Sequence, residues 1–227
     1  MKRVLSLLTV LFFVAILSAQ THYKPKIYIG GKAGATLSKM SFSPGVEQSW
    51  LPGLAAGVQF RYTEEKHVGL IAELNIEQRG WQENFKDDAP ELSYKRTLTY
   101  LQLPLMTHLY FGSRSFKGFV NLGPEFGYMI GNSINSNFDY ANTSTVANFP
   151  KNRMTDQMSM EIKNRFDYGI SGGIGMEYFM SRRNSINLEA RFYYGLGNIY
   201  PASKRDIFGA SRGMSIEVTL GYFFRIK

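Results

Sequence analysis

The chain has 227 residues, no cysteine, 15% aromatic residues and a formal net charge of +8. That length suits one domain with a sizeable core, and the missing cysteine excludes a disulfide framework and a lipidated cysteine. The basic excess comes with no basic helix and no basic motif interleaved with aromatics, so nucleic acid is not an expected partner.

The N-terminus reads Met1-Lys2-Arg3, then an apolar run over 4–17, then Ser18-Ala19-Gln20. A basic start, a short apolar run and a small-residue exit predict a cleaved signal peptide over 1–20, with cleavage after Ala19 or Gln20 both open. An uncleaved anchor is the alternative, but the run is short for a spanning helix. Removing Lys2 and Arg3 takes the formal charge from +8 to +6. Export without disulfides fits a bacterial envelope protein. Residues 21–227 form a single domain, with no linker or low-complexity tail. The basic balance of such a protein points to lipid or lipopolysaccharide phosphates, or to a solvated surface of mixed charge.

In chain order, alternation of apolar and polar residues predicts strands over 27–37, 54–62, 67–80, 95–111, 118–130, 165–179, 185–195 and 213–227. The last is the clearest. Met214, Ile216, Val218, Leu220, Tyr222, Phe224 and Ile226 share one parity. Ser215, Glu217, Thr219, Gly221 and Arg225 share the other, with Phe223 the apolar exception. An alternation sustained over about thirteen residues is twice the usual strand length in a soluble domain. A wholly apolar face opposite a polar one suits a strand with lipid on one side and a polar lumen on the other. Pro104 in the fourth strand predicts a bulge or local irregularity.

Short connections follow the second, fourth and sixth strands, and long ones follow the first, third, fifth and seventh. The fold expected is therefore all-β: an eight-stranded antiparallel transmembrane β-barrel, an up-and-down meander in the outer membrane of a Gram-negative bacterium. Its short turns would face the periplasm. Tyr62, Phe111, Tyr178 and Tyr222 would form one aromatic girdle, and Tyr128, Phe166 and Tyr194 the other. A soluble lipocalin-like barrel would have the inverse pattern, with an apolar interior.

Parity places Glu73, Glu77, Glu125, Asp167, Glu177, Glu189 and Glu217 in the lumen with Lys32, Arg61, Arg79, Arg96, Arg191 and Arg225. Eight strands leave room only for side chains, so these nearly matched charges are expected to neutralise one another and fill the interior. A gated pore or proton path is the functional alternative.

No catalytic, cofactor-binding or metal-binding residue is expected. The histidines, His22, His67 and His108, fall toward the short-turn side, away from the outer rim where barrel enzymes place catalytic groups. No His/Cys cluster has metal-ligand spacing, and no glycine-rich phosphate loop precedes a helix. In Ser171-Gly-Gly-Ile-Gly175 the small residues are read as making room for bulky neighbours. Asp87, Asp88 and Glu91 could attract a divalent cation but read as a solvated loop. Met154, Met158 and Met160 read as a local loop cluster, with a partner-facing patch as the alternative.

Four stretches carry a family resemblance: Tyr100-Leu-Gln-Leu-Pro-Leu105, Asn121-Leu-Gly-Pro-Glu125, Gly169 to Tyr178, and Tyr194-Gly-Leu-Gly-Asn-Ile199. Through them nearly the whole mature chain resembles the PorT-like family of outer-membrane β-barrel proteins. Its named member is a component of the type IX secretion system, which exports proteins across the outer membrane. The resemblance implies a non-enzymatic accessory or structural component with secretion-system or other envelope proteins as partners, and no catalytic residues to carry over. A small porin, an adhesin-like surface-binding barrel and an outer-membrane lipid-modifying enzyme are the other roles such a barrel could play.

Overall fold

The computed structural model describes residues 25–227 apart from 87. The expected signal peptide, His22 and Asp87 lie outside these residues. The strands are β1 (Lys26–Ser43), β2 (Gln48–Ser49), β3 (Leu51–Thr63), β4 (Val68–Glu83), β5 (Tyr94–Gly112), β6 (Phe116–Ser136), β7 (Phe166–Phe179), β8 (Asn184–Gly195) and β9 (Ala210–Arg225). Two-residue β2 only edges β4. The other eight strands form a closed antiparallel ring, with β1 pairing β3 on one side and β9 on the other. Closure leaves no free edge, which a backbone in lipid requires. Among the described residues no helix is long and apolar enough to cross a membrane; the crossing is made by strands.

Burial alternates along every ring strand as the sequence pattern demands. On β9, Ser215, Glu217, Thr219, Gly221 and Phe223 are buried while Ile216, Val218, Leu220, Tyr222 and Phe224 face out. Leu220, directly opposite Ala33 and Leu188, is 62% exposed. Girdle residues Phe111, Tyr178 and Tyr222 are exposed toward one end, and Tyr128 and Phe166 toward the other.

Several strands run further than the sequence pattern indicates. β1 continues to Ser43 and β9 begins at Ala210, because Lys39–Ser43 pairs with Ala210–Met214. β4 reaches Glu83 and β6 reaches Ser136, where Asn132–Ser136 pairs with Tyr94–Leu98. These extensions lie at the long-loop end, where outward positions such as Lys39 and Ser41 are polar. The apolar alternation therefore fades before the ladder does. The strand is locally irregular at Pro104, as expected, and a separate register shift lies between Thr99 and Tyr100. Beside Pro104 ladder pairs are missing but the register is kept.

Gly80, next to Trp81 on β4, has φ +148°, and a Cβ there would run into the Arg96 carbonyl oxygen. Only glycine tolerates both conditions. At Gly175 the Phe119 ring occupies the space a side chain would need.

Candidate functional site: a filled lumen with two different mouths

Two-residue periodicity brings charges from distant strands to the same level inside the ring, and the middle of the lumen is built on Glu73. Its carboxylate accepts from Lys32 at 2.9 Å, from both terminal nitrogens of Arg191 at 2.8 and 2.9 Å, from Gln59 at 2.9 Å and from Asn75 at 2.8 Å. Lys32 also donates to Glu217 at 2.8 Å. Arg191 reaches Glu189 at 3.0 Å, which in turn accepts from Asn121 at 2.9 Å. The His108 Nδ1 lies 2.7 Å from the Asn121 amide oxygen, and its ring packs on Tyr110 and Phe119.

Toward the long loops, Arg79 pairs with Glu77 at 2.9 Å, with Glu125, and with Asp167 at 3.6 Å. Its guanidinium lies 3.8 Å from the centre of the Tyr193 ring, whose hydroxyl donates to Asp167 at 2.8 Å. Gln102 and Ser215 donate to Glu77, and Ser171 donates to Glu125. Toward the short turns, Arg61 grips Glu177 through both nitrogens at 2.8 Å. The same guanidinium lies 4.2 Å from the centres of both the Tyr28 and Phe223 rings. Phe223 thus has a purpose on the polar face of its strand.

Two expected members lie outside this network. Arg96 sits beyond the register shift, where the lumen widens into loop structure. It donates to the Asn132 side chain at 3.0 Å and to the Met160 carbonyl at 2.8 Å, with the Gln157 carbonyl at 3.4 Å. Arg225 is half-buried at the short-turn end of β9, two residues beyond the buried Phe223 ring that packs on Arg61. The near match of charges expected from the sequence is therefore corrected. Among the described residues, Glu73, Glu77, Glu125, Asp167, Glu177, Glu189 and Glu217 form ion pairs with Lys32, Arg61, Arg79 and Arg191, and half-buried Lys117 on β6 lies opposite Glu177. Neutral donors such as Gln59, Gln102, Asn121 and Ser171 serve the remaining acceptor positions. A buried acceptor left without a donor would cost about 1–3 kcal/mol, so these amides and hydroxyls are part of the same construction.

The long-loop mouth is capped. One helical turn, Asp156–Ser159, enters it, burying Gln157 and Met158 completely. Tyr94 and Tyr200 donate to the carbonyls of Met158 and Gln157 at 2.7 and 2.9 Å. Gln157 donates to Glu83 at 3.0 Å, and Arg153 lies 3.3 Å from the same carboxylate. Phe42, Trp81, Phe85 and Phe208 pack around this turn. Burial pushes the Tyr200 phenol up to about 12. Glu83 and Arg153 escape a strand-by-strand reading, although Arg79, Trp81, Glu83 and Phe85 continue one parity. Met158 is core, and Met154 and Met160 pack beside it, as the loop-cluster reading expects.

His67 bonds through Nδ1 to the Tyr110 carbonyl at 3.1 Å, while Asp88 and Glu91 are exposed. Among the described residues no group of three His, Cys, Asp or Glu side chains is set to hold a metal ion.

A family model described as outer membrane protein beta-barrel domain matches residues 18–200. No curated protein matches the chain in sequence. Among solved structures the chain is similar to the outer membrane protein OprG of Pseudomonas aeruginosa, at 13% identity and a TM-score of 0.54, covering 90% of this chain and 97% of that one. It is also similar to E. coli outer membrane protein W, at 15% identity and a TM-score of 0.44 over 90% of this chain and 100% of that one. Neisserial surface protein A gives 13% identity and a TM-score of 0.44 over 87% and 96%. At such identity the likeness to OprG establishes the barrel fold and carries no statement about activity.

Proposed function

Since the chain belongs to the outer membrane protein β-barrel domain family, and so resides in the outer membrane, we propose that it works as a non-enzymatic docking component for other envelope proteins, in the manner of the PorT-like proteins it resembles. The observation that carries this reading is the double obstruction of the lumen. The Glu73 and Arg79 networks occupy its middle, and the Asp156–Ser159 turn fills its long-loop mouth. A barrel blocked at two levels offers rims and loops for its work. Catalysis is disfavoured by His108, whose ring is buried and committed to Asn121. Lipid contacts the apolar outer wall. A notch of about 610 Å³ at the long-loop rim, lined in part by Lys163, Arg165, Phe166 and Tyr168, suits the phosphates and acyl chains of lipopolysaccharide.

Type IX secretion gives the sharpest test. In a deletion strain, cargo should accumulate in the periplasm and return to the surface on complementation. Normal export would remove the secretion role. The small-porin reading draws on the excess of lumen acids over bases, which would favour cations. Planar-bilayer conductance above a lipid-only control would support it at the expense of docking.

A further inference from the structure

At the long-loop end the outer wall turns from apolar to basic within two rows of residues. One row across β8, β9, β1 and β3 reads Phe192, Ile216, Leu37 and Pro52, paired from strand to strand and wholly apolar. The next row toward the loops reads Tyr194, Met214 and Lys39, and beyond it Ser41 pairs with Arg212. Met40, Phe42 and Ser211, on the opposite parity, are buried inside the ring. Lys39 and Arg212 therefore stand on the lipid side of the seam. They are diagonal neighbours there, within reach of one another's long side chains. Both are half-buried. The Lys39 ammonium lies 5.0 Å from the centre of the Trp50 ring, and the Arg212 Nε is buried without a hydrogen-bond partner. Among the described residues neither cation forms an ion pair with an Asp or Glu. The lumen acids lie behind the sheet. A charged donor partly withdrawn from water is costly until an acceptor meets it.

We propose that Lys39 and Arg212 form a seat for a lipid A phosphate of lipopolysaccharide, a site apart from the docking role and from the notch at Lys163 and Arg165. The long loops mark the outer leaflet, and the seat lies where the apolar row gives way to the polar one, at the level of headgroup phosphates. The Arg212 guanidinium offers paired N–H donors to phosphate oxygens, and Lys39 adds a point charge. Their aliphatic stems lie along the wall while the charged heads reach the phosphate. Below them Leu37, Ile216 and Phe192 are exposed and give the acyl chains of the same lipid an apolar face. Trp50 and Tyr194 flank the cations as interfacial rings. An acidic protein segment is the less suitable occupant, because reaching the outward parity beside Leu37 and Ile216 would bring its backbone into the lipid.

The test uses the full mature chain in detergent micelles, with bisphosphorylated lipid A as the probe and native mass spectrometry to count the lipid bound. A Lys163→Gln/Arg165→Gln background removes the basic side of the neighbouring notch, so the remaining binding reports on this seat. In that background Lys39→Gln with Arg212→Gln should weaken lipid A binding by about tenfold or more. Dephosphorylated lipid A should bind weakly, and equally with or without the two cations. Unchanged lipid A binding after the double replacement overturns the seat. Dephosphorylated lipid A that binds as tightly as the phosphorylated form overturns the phosphate as its occupant. Inorganic phosphate or phosphatidylglycerol that displaces lipid A at equal concentration overturns the assignment to lipopolysaccharide. Unchanged heat-modified gel migration shows that the variant folds. If it does not fold, Arg212→Gln alone should weaken binding by about fivefold, and unchanged binding there overturns the seat equally. Cargo export does not enter this measurement, so failure of the secretion role leaves the seat standing.

Discussion

Arg61 on β3 and Glu177 on β7 meet across the lumen through two N–O contacts of 2.8 Å, although 116 positions separate them. They lie on strands that are not neighbours in the ring. The pair therefore braces opposite walls, and the Tyr28 and Phe223 rings enclose its cation.

Arg61→Ala would leave the Glu177 carboxylate buried without its main partner. Breaking a buried pair from one side costs about 3–5 kcal/mol. The single variant should lose that much in urea-induced unfolding from liposomes. Replacing both members, as Arg61→Met with Glu177→Leu, should recover most of the loss because no orphan charge remains. Equal stability of the single variant and the unaltered protein would refute the brace.

On the outer wall the cost of a charge depends on depth. Leu220 lies opposite Ala33 and Leu188 in mid-strand, whereas Phe111 lies at the short-turn end of β5. Leu220→Arg should cost about 2–4 kcal/mol and Phe111→Arg about 0–1 kcal/mol. The same unfolding assay reads both. Equal costs at the two positions would contradict the placement of the membrane belt.

The barrel is legible in the sequence because lipid on one side and packed side chains on the other impose a period of two that nothing interrupts in mid-membrane. Glu73, Arg191 and Glu217 can be placed inside from parity alone. Their partners cannot, since Arg191 bonds Glu73 across 118 positions. Parity is equally blind to depth along the lumen. Arg96 and Arg225 share the inward face with the central charges, yet one meets a loop and the other an open rim. The Asp156–Ser159 turn has no periodic signature at all. It is helical for a single turn and is held by Tyr94 and Arg96 of β5 and by Tyr200 of a distant loop.

The cap should also respond to alkali. The Tyr200 phenol rises from 10.0 to about 12 because burial disfavours its anion. Its folded-state value lies above the unfolded one, so its contribution to stability is intact below pH 10 and is lost as pH climbs toward 12. The loss can reach about 1.4 kcal/mol per pH unit. Protease cleavage within 137–165 should increase over that window, and Tyr200→Phe should flatten the increase. A slope unchanged by the substitution would remove Tyr200 from the cause.

Arg96→Met separates the cap from the deeper blockage. It withdraws the donor from the Met160 carbonyl and from Asn132 while keeping a side chain of similar length. Losing hydrogen bonds from a charged donor costs about 1.5–3 kcal/mol, and the cost falls on the loop because the ring does not depend on Arg96. Proteinase K should therefore cut within 137–165 faster than in the unaltered protein, with heat-modified gel migration unchanged. Planar-bilayer conductance should stay at the lipid-only level, because Arg191 and Glu73 still join across the lumen below the cap. Conductance that appears in Arg96→Met would make the cap the only gate and would turn the central network into the lining of a path. Unchanged cleavage would mean that Tyr94 and Tyr200 suffice to hold the turn in the mouth.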